Sequence, residues 1–242
     1  MRRAVLGKKF DSSTTIELAT AFTAKEGGSI SHLKLLKLMY VFERYWLLKR
    51  SHFLTRNRVC MMDHGPVLSE TLDLINQNPY CDAGALSLWR KRFNPISNNT
   101  LSFVDSHDRH RFFVKKNLKG FEVDSVSPLD NEAFDLVNRV YGIYGKMSKF
   151  ELRDYTHTFA EWSDPRGTSR TISHNDLYEY IISDCRKGTD SLFAKLCSED
   201  YVQPNFDFNR LEALSESKDT LTLKKGMSRE ERRAAIMDFA NI

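Results

Sequence analysis

The sequence predicts a mainly α (α+β) fold. We expect a compact helical domain around a central apolar helix, with a small antiparallel β-hairpin or three-stranded sheet and a C-terminal appendage. Residues 33–48 are apolar in nearly every direction around a helix, which is typical of a helix at the centre of a domain. Several later helices begin with recognisable capping residues. Short apolar runs at 58–62 and 101–104 have the length and the flanking turn residues of strands.

The first helix is predicted from Ser12 or Ser13 to about Lys25, because apolar residues recur there at helical spacing. Gly27 and Gly28 follow it, and glycine readily adopts the backbone dihedrals at which helices stop. We therefore expect this helix to end before residue 27.

The second helix is the predicted structural axis of the domain. It is expected to begin within residues 29–31 and to continue to about Arg50. Lys34, Lys37 and Arg44 leave only a narrow polar stripe on it, while apolar and aromatic side chains occupy the other directions. A helix of this kind buries most of its circumference.

A strand and a turn are predicted after the second helix. Residues 58–62 have the apolar character of a strand, and Asp63, His64, Gly65 and Pro66 have that of a turn. Pro66 suits the first position of a helix, where its missing N–H would be unpaired in any case. The next helix is therefore expected to begin at Pro66.

A β-hairpin is predicted between residues 101 and 114. Its apolar arms, residues 101–104 and 112–114, flank the polar run 105–110. Two strands alone are marginally stable. We therefore expect the hairpin to pair with the strand at 58–62 or to lie against helices.

Three further helix starts carry capping residues. Residues 127–130 place a cap, a proline and an acid in order before a helix that Gly145 closes. Residues 148–151 form a capping box, in which each side chain bonds a backbone N–H that the helix leaves unpaired. Residues 173–176 form a weaker one. The aromatic-bearing loop 159–167 lies between the last two helices.

Two parts of the chain are predicted, residues 1–187 as the domain and residues 188–242 as a C-terminal extension. The extension is more polar, and residues 228–231 form a capping box that opens a short amphipathic helix with Ile236 and Phe239 on one side. A helix of this kind often lies in a groove of a partner. It fits packing on its own domain equally well.

Composition and charge favour an ordinary globular protein. The chain has 242 residues, of which 41% are hydrophobic and 28% charged, with a net charge of +4 and basic and acidic residues interleaved. The four cysteines form no Cys-x-x-Cys pair, which favours reduced, packed cysteines in a cytoplasmic protein. We expect no signal peptide, since no apolar run follows the N-terminus, and no membrane span, since charges interrupt residues 33–48.

Four segments, in order, resemble the SocA-like antitoxin, or Panacea, domain. They are the Lys-Leu-rich run 33–40, the Gly-Pro-Val turn within 63–67, the Leu-x-x-x-Thr-His motif at 152–157 with Trp162 downstream, and the helix 172–182. Their order and approximate spacing agree with the family across about residues 12–187. The extension from residue 188 lies outside the resemblance.

The resemblance implies an antitoxin that neutralises the protein toxin of an adjacent gene by direct contact. It leaves the toxin unidentified, because antitoxins of this family are paired with diverse toxins. The alternatives are a nucleic-acid-binding regulator of its own operon and an adaptor that delivers its partner to a protease. A homodimer is compatible with all three.

Nine residues are candidate partner contacts, several of them aromatic or arginine side chains of the kind that dominates interface energetics. The candidates are Asp63, His64, Trp89, Phe93, His157, Trp162, Arg166, Ile236 and Phe239. Several have a structural alternative. Asp63 or His64 would cap the following helix, Gly65 and Pro66 would shape the turn, and His157 would cap its own helix with Trp162 packed beneath it.

Basic clusters at 90–92 and within 109–116 are the best candidates for nucleic-acid contact. Exposed faces of a helix and a hairpin are the favoured interpretation of these clusters. A patch that steers an acidic partner is a third possibility. Weak phosphate contact is therefore compatible with the sequence but is not indicated by it.

Neither a catalytic site nor a metal site is expected. The sequence has no Gly-rich phosphate loop, no His-Glu-x-x-His and no Gly-x-Ser-x-Gly. A hydrolase that uses Cys60 or His157 stays an alternative, although nothing in the sequence brings the two together. His107 and His110 lie in a predicted flexible tip, whereas a closed metal site needs three or four convergent ligands. We expect no cofactor.

Overall fold

Helix α2 (His32–Arg50) is the centre of the fold. A computed structural model describes residues 10–50, 52–105 and 129–187, and within them α2 packs against other helices and against the strand at 65–68. Every side chain from Lys34 to Leu48 is buried. The predicted fold class, mainly helical with small antiparallel sheets, is confirmed. No helix in these three ranges is long and apolar enough to cross a membrane.

Helix α1 (Ser12–Lys25) has the predicted boundaries. Asp11 caps its N-terminus by accepting a hydrogen bond from the Thr14 N–H at 3.0 Å, which satisfies one of the donors that a helix start leaves unpaired. Gly27 follows its C-terminus with φ +93°. The glycine pair therefore ends the helix as predicted.

Residues 29–31 form strand β1 (Ser29–Ser31) and not the first turn of α2. β1 pairs antiparallel with β4 (Thr100–Ser102), so that Ile30 lies opposite Leu101. Both side chains are almost fully buried, and this pairing decides the local conformation. Residues 112–114, the predicted partner of the 101–104 strand, lie outside the described residues.

Strands β2 (Val59–Met62), β3 (Gly65–Leu68) and β5 (Arg170–Ile172) form a three-stranded sheet with β2 in the middle. The strand predicted at 58–62 is confirmed, but its partners are β3 and β5. Pro66 lies opposite Met61 in β3, so the predicted helix start at Pro66 is wrong. An edge strand tolerates proline because one side of the strand needs no ladder hydrogen bond.

Five further helices follow in chain order within the described residues. They are α3 (Ser69–Ile75), α4 (Ala83–Arg92), α5 (Asn131–Tyr144), α6 (Lys149–Thr156) and α7 (His174–Lys187). The capping box of Ser148 and Glu151 is present as predicted. The cap of α5 is Asp130 and not Ser127, while Gly145 closes this helix as predicted.

The predicted polar stripe of α2 and the neighbouring Glu43 are buried, and these charged residues connect α2 to other segments. Lys34 donates to the Gly145 carbonyl at the end of α5. Glu43 accepts hydrogen bonds from the backbone N–H groups of Leu54 and Thr55. Because an unpaired buried charge is costly, each of these groups fixes the position of the segment that satisfies it.

Candidate functional site

The turn between β2 and β3 closes on a crowded junction beneath it. Met62 lies opposite Gly65, so Asp63 and His64 form a two-residue turn. Gly65 has φ +88°, and a Cβ atom on it would lie 2.9 Å from Lys37 Nζ, His157 Cδ2 and Thr156 Oγ1. Only glycine combines this backbone conformation with this close approach. Gly65 therefore has the structural role that the sequence predicted.

Lys37 reaches this junction from the central helix. Its Nζ donates a hydrogen bond to the Pro66 carbonyl at 2.6 Å, and its side chain is fully buried. Burial, and next the positive charge of Arg153, lower the pKa of Lys37 to about 7. Lys37 was not among the site residues predicted from the sequence, although a lysine on an otherwise apolar helix indicates a buried amine with a hydrogen-bond partner.

His157 and Trp162 join the other side of the junction. His157 is the C-cap residue of α6, as expected from the sequence. Its ring stacks on Trp162 with centroids 4.0 Å apart and an interplanar angle of 5°, and it hydrogen-bonds the His64 carbonyl. Burial, followed by the charges of Lys37 and Arg153, lowers the pKa of His157. The contact of the uncharged His157 ring with the Trp162 indole is therefore a packing contact.

The loop that carries Trp162 is anchored to α2 by a buried ion pair. Arg44 Nε lies 2.9 Å from Glu161 Oε1, and Arg44 Nη2 lies 2.6 Å from Asp184 Oδ2 in α7. The Tyr40 hydroxyl also donates to Glu161 Oε1 at 2.7 Å. Because buried charges of this kind require their partners, the loop is held in one position relative to the central helix.

The exposed side of the junction is a continuous surface. We call it the turn–loop surface and define it by its exposed charged and polar residues: Asp63, His64, Asp164, Arg166 and Arg170. Asp63 Oδ1 accepts a hydrogen bond from the Gly167 N–H at 3.0 Å. The two segments that form this surface are 104 positions apart in sequence, and only the fold brings them together.

Neither Asp63 nor His64 caps the next helix. That helix is α3, which begins at Ser69, and the residue at its cap position is Leu68. The structural alternative proposed for these two residues is therefore wrong. Their side chains are exposed on the turn–loop surface.

Two of the predicted partner contacts are core residues. Trp89 and Phe93 are 0% and 1% exposed, and their ring centroids lie 4.5 Å apart. The aromatic side of α4 faces the core, and its basic residues face outward, so these two rings are not available at the surface. Ile236 and Phe239 lie outside the described residues, as do the basic residues at 109–116.

Cys60 and His157 have different partners. Cys60 Sγ lies 3.6 Å from Thr171 Oγ1 in β5, whereas His157 stacks on Trp162. A nucleophile and its base need hydrogen-bond contact, and these contacts do not supply it. Within the part of the chain that the structure describes, no three His, Cys, Asp or Glu side chains are grouped to hold a metal ion.

Comparison with known proteins identifies one family. The family model described as "Antitoxin SocA-like, Panacea domain" matches residues 35–163, which is more than half of the 242 residues. Searches of curated proteins and of solved structures returned no match. The matched region contains Lys37, the Gly65 turn, His157 and Trp162, and so covers the junction described above.

Proposed function

This chain belongs to the SocA-like antitoxin family, and from this membership we propose that it is the antitoxin of a toxin–antitoxin system that neutralises a protein toxin by direct contact. The proposal includes a cytoplasmic location, a toxin encoded by the adjacent gene, and action by binding alone, without catalysis. These details follow from the family's character and from the sequence.

The observation that carries the proposal is the meeting of three family-like segments at Gly65. Lys37 comes from the Lys-Leu-rich segment, Gly65 from the Gly-Pro-Val turn and His157 from the Thr-His segment. Lys37 Nζ and His157 Cδ2 each lie 2.9 Å from the position that a Cβ atom on Gly65 would take. A binding protein benefits from a surface whose shape is fixed before its partner arrives, since less conformational entropy is lost on association.

A co-expression experiment tests the proposal. The adjacent gene's product is expressed from an inducible promoter, alone and together with this chain, and growth is followed. We expect the product alone to arrest growth and the chain to restore it, with the two proteins eluting as one complex. Growth arrest that persists in the presence of the folded chain would refute the proposal.

The role of residues 188–242 in neutralisation needs a separate experiment. We propose that the predicted helix with Ile236 and Phe239 helps to select or hold the toxin. A chain that ends at residue 188 is compared with the full chain in the same growth assay. Complete neutralisation by the shortened chain would reject a role for the extension, while loss of neutralisation with retained folding would support it.

Two mechanisms of neutralisation are possible, blocking the toxin and delivering it to a protease. They differ in the fate of the toxin. A blocked toxin accumulates with its antitoxin, whereas a delivered toxin is degraded. We favour blocking, because direct contact requires only a fitted surface. A toxin half-life that falls when the antitoxin is co-expressed would instead identify the adaptor mechanism.

A further inference from the structure

We propose that the outer edge of strand β5 binds an extended segment of the protein toxin, which adds to the three-stranded sheet as a fourth strand. This inference rests on the proposed function and adds to it the mode of contact. It is carried by the hydrogen-bond pattern of the sheet, by the exposure of the β5 edge and by the length of the strand.

The register of the sheet determines which backbone groups face outward. In an antiparallel pair of strands, opposite residues alternate between pairs that exchange both hydrogen bonds and pairs that exchange none. Pro66 has no N–H, so Met61 and Pro66 are a pair that exchanges none. The Ser69 N–H donates to the Arg58 carbonyl at 2.8 Å, which agrees with this alternation. The backbone groups of Val59 and Met61 therefore point away from β3 and toward β5.

The same alternation leaves the backbone of Thr171 without a partner in the sheet. Met61 lies opposite Arg170, and Val59 lies opposite Ile172. These two pairs hydrogen-bond β5 to β2, so the N–H and C=O of Thr171 between them point away from β2. Within the part of the chain that the structure describes, neither group has a hydrogen bond from another segment. Strand β5 therefore has an open edge at Thr171.

The opposite edge of this sheet is closed. The Pro66 carbonyl also points away from β2, but it accepts the hydrogen bond from Lys37 Nζ inside the core, and all four residues of β3 are buried. Along β5, by contrast, every residue from 166 to 171 is exposed. An exposed strand edge with unpaired backbone groups is a template for another strand. Of the two edges of this sheet, the β5 edge is thus the one that can accept a further strand.

The open groups of Thr171 select an extended polypeptide as the ligand. A partner has to supply an acceptor for the N–H and a donor for the C=O at the spacing of a strand. The main chain of an extended segment supplies both, whereas the phosphate oxygens of a nucleic acid only accept. The recognition depends on backbone groups, so it does not require a net charge on this side of the protein.

The length of β5 favours the toxin over a second copy of this chain. The strand has three residues, and helix α7 begins at His174, so two copies would share only Thr171 as an outward-facing strand residue. Such a contact is far smaller than the interface of about 1,000 Å² or more that a stable dimer needs. Short length and a charged residue, here Arg170, also protect an edge from pairing with its own copy. A toxin segment at β5 gains further contacts, because Arg170 belongs to the turn–loop surface as well.

The first test measures binding of the full chain to the purified product of the adjacent gene. Thr171→Pro removes the outward N–H and leaves an acceptor of the toxin unpaired, so we expect binding to weaken by about tenfold or more. An edge strand tolerates proline where the N–H faces solvent, and Tm is expected to fall by no more than about 4 °C. Wild-type affinity in folded Thr171→Pro would overturn the inference.

The matched control is Thr171→Val, which keeps the N–H and removes the hydroxyl that contacts Cys60 Sγ. We expect it to bind with the wild-type affinity. A loss of binding as large as that of Thr171→Pro would show that the side chain is recognised and not the backbone, and would also overturn the inference.

Amide hydrogen exchange of the wild-type chain is a second test, which needs no substitution. In the free chain the Thr171 amide is expected to exchange about tenfold or more faster than those of Arg170 and Ile172, and in the complex it should slow by a similar factor. Slow exchange in the free chain would show that the edge is already covered, by a second copy if it depends on concentration and by the chain itself if it does not. Either result would overturn the inference.

The failure of the inference and that of the proposed function have different signatures. If the adjacent gene's product binds the wild-type chain without protecting the Thr171 amide, the inference is wrong and the proposed function stands. If the product does not bind the wild-type chain at all, the proposed function is wrong and the inference is rejected with it.

Discussion

Arg44 Nε lies 2.9 Å from Glu161 Oε1, and the side chains of both residues are 0% exposed. This pair connects the centre of α2 to the loop that presents Trp162 and Arg166. The Arg44 guanidinium also lies over the Phe159 ring, 4.2 Å from its centroid. The position of the turn–loop surface therefore depends on charges in the core, and its geometry is linked to the stability of the whole domain.

Arg44→Met is expected to lower the free energy of unfolding by about 3–5 kcal/mol, because it leaves the Glu161 and Asp184 carboxylates buried without their partner. Urea denaturation measures the change. Arg50→Met is the control, since Arg50 pairs with Glu132 but its side chain is 49% exposed, and there we expect a loss of about 1 kcal/mol or less. Equal losses in the two variants would contradict the view that Arg44 anchors the loop.

Gly65→Ala is expected to destabilise the protein by about 2–4 kcal/mol, since strain at positive φ adds to overpacking against the junction. Gly27→Ala is the control that measures the cost of backbone strain alone. Gly27 has φ +93°, but nothing lies within 4 Å of a Cβ atom placed on it, so a loss of only about 1 kcal/mol is expected. If thermal unfolding shows that both variants lose the same free energy of unfolding, the close approach at Gly65 does not contribute to stability.

The lowered pKa of Lys37 predicts that the stability of the protein rises with pH above neutrality. Its pKa falls from 10.5 to about 7 on folding, so between these values the unfolded chain holds a proton that the folded chain has released. Stability increases with pH wherever the unfolded state binds more protons. We therefore expect the wild type to gain stability relative to Lys37→Met from about pH 7 to pH 10, measured by urea denaturation. Lys146→Met, at an exposed lysine, should keep the wild-type slope.

The raised pKa of Glu43 predicts that stability falls as pH rises in the acidic range. Burial raises its pKa from 4.5 to about 7, against hydrogen bonds from Thr55 and Leu54 that lower it. Between pH 4.5 and 7 the folded chain holds the extra proton, so stability falls as pH rises through this range. Glu43→Gln, which cannot ionise, should remove this part of the slope. A variant whose urea midpoint follows the wild-type pH profile would show that Glu43 does not titrate there.

Much of the fold was accessible from local signals. The boundaries of α1, the capping box at Ser148 and the closing role of Gly145 each depend on a few neighbouring residues, and all three were predicted correctly. Pro66 and the segment 29–31 were assigned wrongly for the same reason. Their local sequence fits a helix start, but pairing with Met61 and with β4 decides their conformation, and a short segment does not by itself show that it will pair with another strand.

The candidate site was predictable in part. His157, Trp162 and the Asp63–Gly65 turn were identified as candidates, because unusual residue types stand at helix ends and turns. Trp89 was assigned to the surface although it is buried, since an aromatic residue beside basic residues on a short helix fits either face. Lys37 was assigned to the narrow polar stripe of the central helix. Its burial depends on the Pro66 carbonyl, which only the tertiary fold brings to it.

The sequence by itself determined the helical character of this protein, its central helix and its family resemblance, because periodicity, capping and motif spacing are properties of neighbouring residues. The tertiary structure alone decided which charges are buried, which strands pair and which exposed residues share a surface. These outcomes depend on desolvation and on contacts between segments more than one hundred residues apart, such as Asp63 with Gly167. A residue's environment in such contacts is set by the folded chain around it, and its immediate neighbours in sequence do not encode it.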